Sequence, residues 1–408
     1  MKRIISTSVV LCLTGMPAFA DSLLDLLPPD DNPNQALKEV GIESSLSITQ
    51  FLGGVLQGNA RADTRWKYGT AADWHLKIDL SRFGLWDGLS INLLGQMVGG
   101  KNTNHVATGA LLPVNTALEF PASNEFDTEL SLNITQRLGD IGSFSIGKFN
   151  MVDAAAATPL VGGGGLQTFE HVAFASPPTG LIPTYIFGAM TTLKTPFGLM
   201  TFAVFDPRDM TDKSGLEDPF SDGVAGMINL TITTHIGGLP GFHTVTLRAN
   251  NQEKVDLADI PDLILPKGAG DQVIDTKKGA YYIGYSFQQY LHQTDASHGW
   301  GIFGSIGFSD ANPTVFKASG TLGIVGNSPI PDRDDDLFGV GYFYNTFSDD
   351  LVNVLAPIGK FGAEQGVEAF YNLHLASGVR LTSNVQVIDP ALGDQTAVFA
   401  GLRLQTTF

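Results

Sequence analysis

The chain closes on Ala397-Val398-Phe399-Ala400-Gly401-Leu402-Arg403-Leu404-Gln405-Thr406-Thr407-Phe408. Val398, Ala400, Leu402 and Leu404 alternate with Arg403, Gln405 and Thr407, the two-residue period of a strand whose two faces differ in polarity. No helix or further sheet follows to cover the apolar face. In a barrel set in lipid that face needs no protein cover, so the stretch predicts a transmembrane strand.

Working back from this end, the same alternation recurs. Arg380, Thr382, Asn384 and Gln386 oppose Leu381, Val385 and Val387, and Glu368, Asn372 and His374 oppose Val367, Ala369, Tyr371, Leu373 and Leu375. Thr244, Thr246, Arg248 and Asn250 oppose Val245 and Leu247, while Glu129, Ser131, Asn133, Thr135 and Arg137 oppose Leu130, Leu132 and Ile134. Trp74 to Leu80 carries His75, Lys77 and Asp79 on its polar face, and the first strand begins near Gly41. A loop carrying Gly53-Gly54 and Gln57-Gly58-Asn59 is expected to follow it. Segments 143–149, 184–192 and 199–206 alternate less clearly. Residues 155–174 and 208–222 read as loops, one of which is expected to fold inward, and 251–278, with Pro261 and Pro266, reads as the longest irregular piece.

Composition and targeting allow this reading. Met1 to Ala20 has a basic start (Lys2, Arg3), a short apolar stretch and Ala18-Phe19-Ala20 before Asp21, the pattern of a secretory signal peptide. Residues 21–40, with three prolines, read as a periplasmic extension, and 41–408 as one barrel domain. The only cysteine, Cys12, lies in the signal, so the remainder carries no disulfide and depends on backbone pairing. The formal charge of −17 argues against nucleic acid as a partner. Segment counting and length per strand suggest an all-β, antiparallel transmembrane β-barrel of about 16 strands, wide enough for an aqueous lumen narrowed by inward loops.

Lipid penalises a basic residue at the bilayer midplane by about 2 to 4 kcal/mol, so Arg403, Arg380, Arg248, Arg137 and Lys77 are expected to face the lumen. Tyr281, Tyr285, Tyr342, Tyr344, Trp74 and Phe408 fit the aromatic girdles. Neither the Asp332–Asp336 run nor His374 has the partners of a metal site, and Gly162–Gly165 lacks the Lys-Ser/Thr of a phosphate loop. No catalytic signature is present, so neither an enzyme nor a cofactor is expected.

From Gly41 onward the chain resembles the carbohydrate-selective (OprB-type) porins of Gram-negative outer membranes. The residues that carry the resemblance are Gly301 to Pro313, Asp335 to Tyr342, Glu368 to Asn372, Asn384 to Pro390 and Gly401 to Leu404, with an earlier echo at Gln57-Gly58-Asn59 and Asp79-Leu80. It implies a sixteen-stranded barrel that passes monosaccharides such as glucose by facilitated diffusion. Alternatives are a channel for organic acids or aromatic compounds and, from another class, a barrel hydrolase.

A sugar offers hydroxyl edges to polar groups and C–H faces to aromatic rings. The candidate lumen residues for such contacts are Glu368, Asn372, His374, Arg380, Asn384, Gln386 and Arg403 near the end of the chain, with Trp66, Tyr68, His75, Lys77 and Asp79 from the first hairpin. Arg403 is the residue a passing sugar is most expected to meet. Expected partners are sugars, outer-membrane lipid and the barrel assembly machinery, which would read the strand ending in Phe408. Both monomer and homotrimer are compatible with the chain.

Overall fold

A computed structural model describes residues 37–104, 106–121, 126–176, 182–259, 275–295, 297–357 and 359–408. The expected signal peptide and most of the 21–40 extension, together with Pro261 and Pro266, lie outside the described residues.

Sixteen strands form one closed antiparallel barrel. They are β1 (Ile42–Gln57), β2 (Lys67–Asp79), β3 (Leu89–Gly100), β4 (Phe126–Arg137), β5 (Gly142–Asn150), β6 (Tyr185–Thr195), β7 (Gly198–Phe205) and β8 (Ala225–Ile236), then β9 (Leu239–Val255), β10 (Thr276–Gln293), β11 (Gly299–Ser309), β12 (Phe316–Asn327), β13 (Leu337–Phe347), β14 (Glu364–Ala376), β15 (Val379–Asp389) and β16 (Ala397–Thr407). Each strand pairs with its chain neighbours, and β16 closes on β1 with Arg403 opposite Phe51 and Gln405 opposite Thr49. Closure leaves no unpaired sheet edge, as lipid requires. Tight turns join strands at the end that carries both termini, whereas most of the longer connections lie at the opposite end.

The period of two decides what each face meets. Leu130, Leu132, Ile134, Val245, Leu247, Ile306, Leu322, Val340, Val367, Val385 and Leu402 are exposed on the outside, and Tyr281, Tyr285, Tyr342, Tyr344 and Trp74 join them there. Three sequence expectations change. Gly53 and Gly54 belong to β1, which runs on to Gln57 paired with β16, Gly53 opposite Gly401 and Gly54 opposite Ala400. The irregular 251–278 piece is shorter, since β9 reaches Val255 and β10 starts at Thr276. Trp66 leaves the lumen: its ring occupies the space a Cβ on outward-facing Gly54 would fill, at the rim beside exposed Tyr68.

The apolar core lies inside the barrel. Residues 151–176 fold inward, as expected of one loop, and residues 101–104 and 106–121 do so as well. Phe169 and Phe174 stack at 4.3 Å and pack on inward Phe303, Phe343 and Phe370, together with Val106, Val114, Leu160 and Ile388. β13 makes room for these rings with glycine: a Cβ on Gly341 would stand 2.6 Å from the Phe174 ring, and one on Gly339 would stand 2.9 Å from that of Phe169.

Candidate functional site

The inner wall divides into two arcs. On the arc running from β13 through the seam to β1, inward polar groups hold the loops. Glu364 accepts from the backbone N–H groups of Leu111 (2.7 Å), Leu112 (2.9 Å) and Ala391 (3.2 Å). Glu368 accepts from those of Glu170 (2.7 Å) and His171 (2.9 Å). Asn372 donates to the Gln167 carbonyl and Gln386 to that of Val114. Arg403 donates to the carbonyls of Gly165 (2.7 Å) and Thr168 (3.0 Å) and lies 3.6 Å from the Glu170 carboxylate.

Burial sets the charge states of the loop groups. Desolvation pushes the Glu170 carboxyl up, opposed by nearby Arg403. It pushes His171 down to about 3, so the ring is neutral; Nδ1 accepts from Ala173 N–H and the ring stacks on Phe343 at 4.0 Å.

On the remaining arc one band of inward positions is half-buried and hydroxyl-rich, flanked by buried groups such as Phe205, Met227 and Glu129. Thr231 lies opposite Thr244, Thr244 opposite Ser286, Ser286 opposite Ser305 and Ser305 opposite Thr321, an unbroken run of cross-strand partners from β8 to β12. Within it Thr231 and Thr244 are hydrogen-bonded at 2.9 Å and Ser305 and Thr321 at 2.7 Å. Thr192 and Thr201 (3.1 Å) continue the belt on β6 and β7, and Thr135 with Ser145 (2.8 Å) and Asn92 with Asn133 (3.0 Å) extend it to β3. Beside the belt, Arg248 lies over the Tyr282 ring, with its Cζ 5.5 Å from the centroid.

Helix α1 (Met151–Ala156), capped by the Asn150 side chain, carries Asp153 to within 3.7 Å of His75, and both side chains remain about half exposed. Lys77 meets Glu43 at 3.3 Å, also exposed. At the terminus-bearing end, Arg380 donates to Asn372 Oδ1 and the Asp335 carbonyl, and His374 lies 3.5 Å from the Asp335 carboxylate.

The expected site residues therefore separate. Arg403 and Glu368 are fully buried beneath a loop, as are Asn372, Asn384 and Gln386 apart from slight exposure. Arg403 is accordingly withdrawn from the open wall on which it was expected to meet solute. Arg380 and His374 stand at one mouth, His75 and Lys77 face open lumen, and Asp79 caps a turn by accepting from Ser81 N–H. Sequence reasoning missed the hydroxyl belt and the inward fold of 101–121. A signal existed for the latter, since Val106, Leu111, Leu112, Val114 and Leu118 are apolar residues in a stretch without alternation. Among the described residues no group of three His, Cys, Asp or Glu is placed to hold a metal ion.

Comparison with known families matches residues 66–408 to the carbohydrate-selective porin, OprB family. Among solved structures, the chain is similar to Pseudomonas putida OprB at high pH, with a TM-score of 0.79 and 16% identity, over 92% of this chain and 96% of that one. The low-pH structure of the same porin gives 0.56 and 13%, over 93% and 97%. At such identities the likeness is one of fold. No curated protein sequence matches.

Proposed function

The chain belongs to the carbohydrate-selective porin, OprB family, and on that footing we propose that sugars pass along the hydroxyl-lined arc while the opposite arc holds the two loops that narrow the channel. The protein is an outer-membrane β-barrel porin of the Gram-negative type, a channel for carbohydrates. The proposal extends to the solute, a monosaccharide such as glucose, and to the residues it touches.

The observation that carries it is the in-register run Thr231, Thr244, Ser286, Ser305 and Thr321. A hydroxyl both donates and accepts, so each wall group exchanges its neighbour for a sugar hydroxyl at little net cost. A neutral wall also avoids the tight ion pairing that would hold a solute too long, since conduction requires ready release. Lys77 and Asp153 add charged partners farther round the lumen, and His75 adds an imidazole beside Asp153. Affinity is expected to be about millimolar or weaker, near −4 kcal/mol at 1 M standard state.

We further propose lipid as the partner of the outward apolar face. Phe408, which exchanges backbone hydrogen bonds with Leu46 across the seam, is the group the assembly machinery reads.

The test is single-channel conductance in planar bilayers, with liposome swelling against monosaccharides, disaccharides and organic acids. Conductance should fall as glucose is added, and monosaccharides should swell liposomes fastest. A steady current in every sugar, with organic acids entering faster, would replace this reading with the small-acid channel.

A further inference from the structure

A cavity of about 360 Å³ opens at the terminus-bearing end, between the inward loop and the turns that follow β10 and β12. It is separate from the hydroxyl belt. Leu160 and Tyr290 contribute apolar surface, and Asn327, His298, Asp335 and Arg380 a polar rim. Gly163 (φ +104°) and Gly326 (φ +140°) belong to the lining and add no side chain to fill it.

The walls are fixed before any ligand arrives. Leu160 is held through its N–H by Gln288 Oε1 at 2.6 Å. His298 is pinned from both sides, Nδ1 to Asp295 at 2.8 Å and Nε2 to Asp335 at 3.2 Å. Arg380 uses one terminal nitrogen for its two bonds, to the Asp335 carbonyl (2.9 Å) and Asn372 Oδ1 (3.2 Å), which leaves the rest of the guanidinium fork for a ligand. Hydrogen bonds to the Asp295 and Asp335 carboxylates raise the His298 pKa above its ordinary value.

We propose that this cavity is a second sugar-binding site, where a monosaccharide leaving the belt is held before release at the terminus-bearing mouth. This rests on the carbohydrate-porin reading. The chemistry favours a sugar over a simple anion or an apolar solute. The Asp335 carboxylate and the Arg380 guanidinium offer an acceptor and donors to a hydroxyl edge, while the Tyr290 ring and Leu160 offer surface to a C–H face. An anion would meet Asp335, and an apolar solute would strand the guanidinium N–H groups.

The experiment is glucose block of single channels, with sugar added to one side at a time and orientation assigned by an antibody to an N-terminal tag. Wild-type channels should be blocked at lower glucose from the terminus-bearing side. Arg380→Met should raise the blocking concentration on that side by about 10-fold, the scale of a hydrogen bond to a charged group, with block from the other side kept. His298→Gln, placed in a turn outside the strands, carries the same test should Arg380→Met fail to migrate as a folded barrel. If block from both sides persists unchanged in a folded variant, or weakens equally on both, the second site is wrong and the belt stands. If wild-type channels show no block from either side, both readings fall.

Discussion

Glu364 and Glu368 stand four residues apart on the inner face of β14, and each carboxylate receives two backbone N–H groups from a different inward loop. One strand thereby clamps residues 101–121 and residues 151–176. A carboxyl side chain is suited to this because its two oxygens accept side by side.

Removing either clamp should open the channel selectively. Glu368→Ala strands the N–H groups of Glu170 and His171, at about 1–3 kcal/mol each, and should raise conductance by freeing the 151–176 segment. Glu364→Ala should act through the 101–121 segment instead. Single-channel recording of the two variants and the double mutant checks this; conductance equal to wild type in all three would show that aromatic packing alone holds the loops.

Thr231→Val with Thr244→Val removes one hydroxyl pair from the belt and nearly keeps its volume. A neutral hydrogen bond contributes about 0.5–1.5 kcal/mol, so glucose block should weaken about 2- to 10-fold while salt conductance holds. Titration of current against glucose concentration reads the difference.

Beyond Gly147, β5 leaves β4, and Lys148 reaches buried Glu129 across the gap while Glu129 also accepts from Asp212 N–H. Lys148→Met leaves that carboxylate without its cation and should cost about 3–5 kcal/mol. Lys148→Met with Glu129→Gln should recover much of the loss. The temperature at which the barrel loses its folded gel migration is the measurement.

His171 links loop docking to pH. Its docked pKa of about 3 lies below the undocked value of about 6.5, so the released loop binds the extra proton. The His171 contribution therefore leaves docking unopposed above pH 6.5 and disfavours it as pH falls toward 3, by about 1.4 kcal/mol per unit, while the Glu170 carboxyl, pushed up by burial, acts in the opposite sense. Relative to wild type, His171→Phe should keep the loop docked, and conductance low, to lower pH. Identical pH profiles would remove His171 from the transition.

Strand alternation was legible because it is local: Leu402 and Arg403 point to opposite faces whatever the rest of the chain does. Charge then settled which face meets lipid, and the barrel of sixteen followed. The inward loops were only partly legible. Residues 101–121 have no period, and their apolar side chains become intelligible only against Phe399, Ile388 and the rest of the inner wall.

The order of polar and apolar residues along the chain was thus sufficient for the barrel, its seam and the inward direction of Arg403. It could not tell an open lumen residue from a covered one. Arg403 is covered because its partners, Gly165 and Thr168, lie 238 and 235 residues away in sequence. Likewise the hydroxyl belt is a property of register, since Thr231, Thr244, Ser286, Ser305 and Thr321 become one surface only when five strands are laid side by side. Facing is fixed by a period of two, whereas accessibility and lateral neighbourhood depend on what folds against the wall from afar.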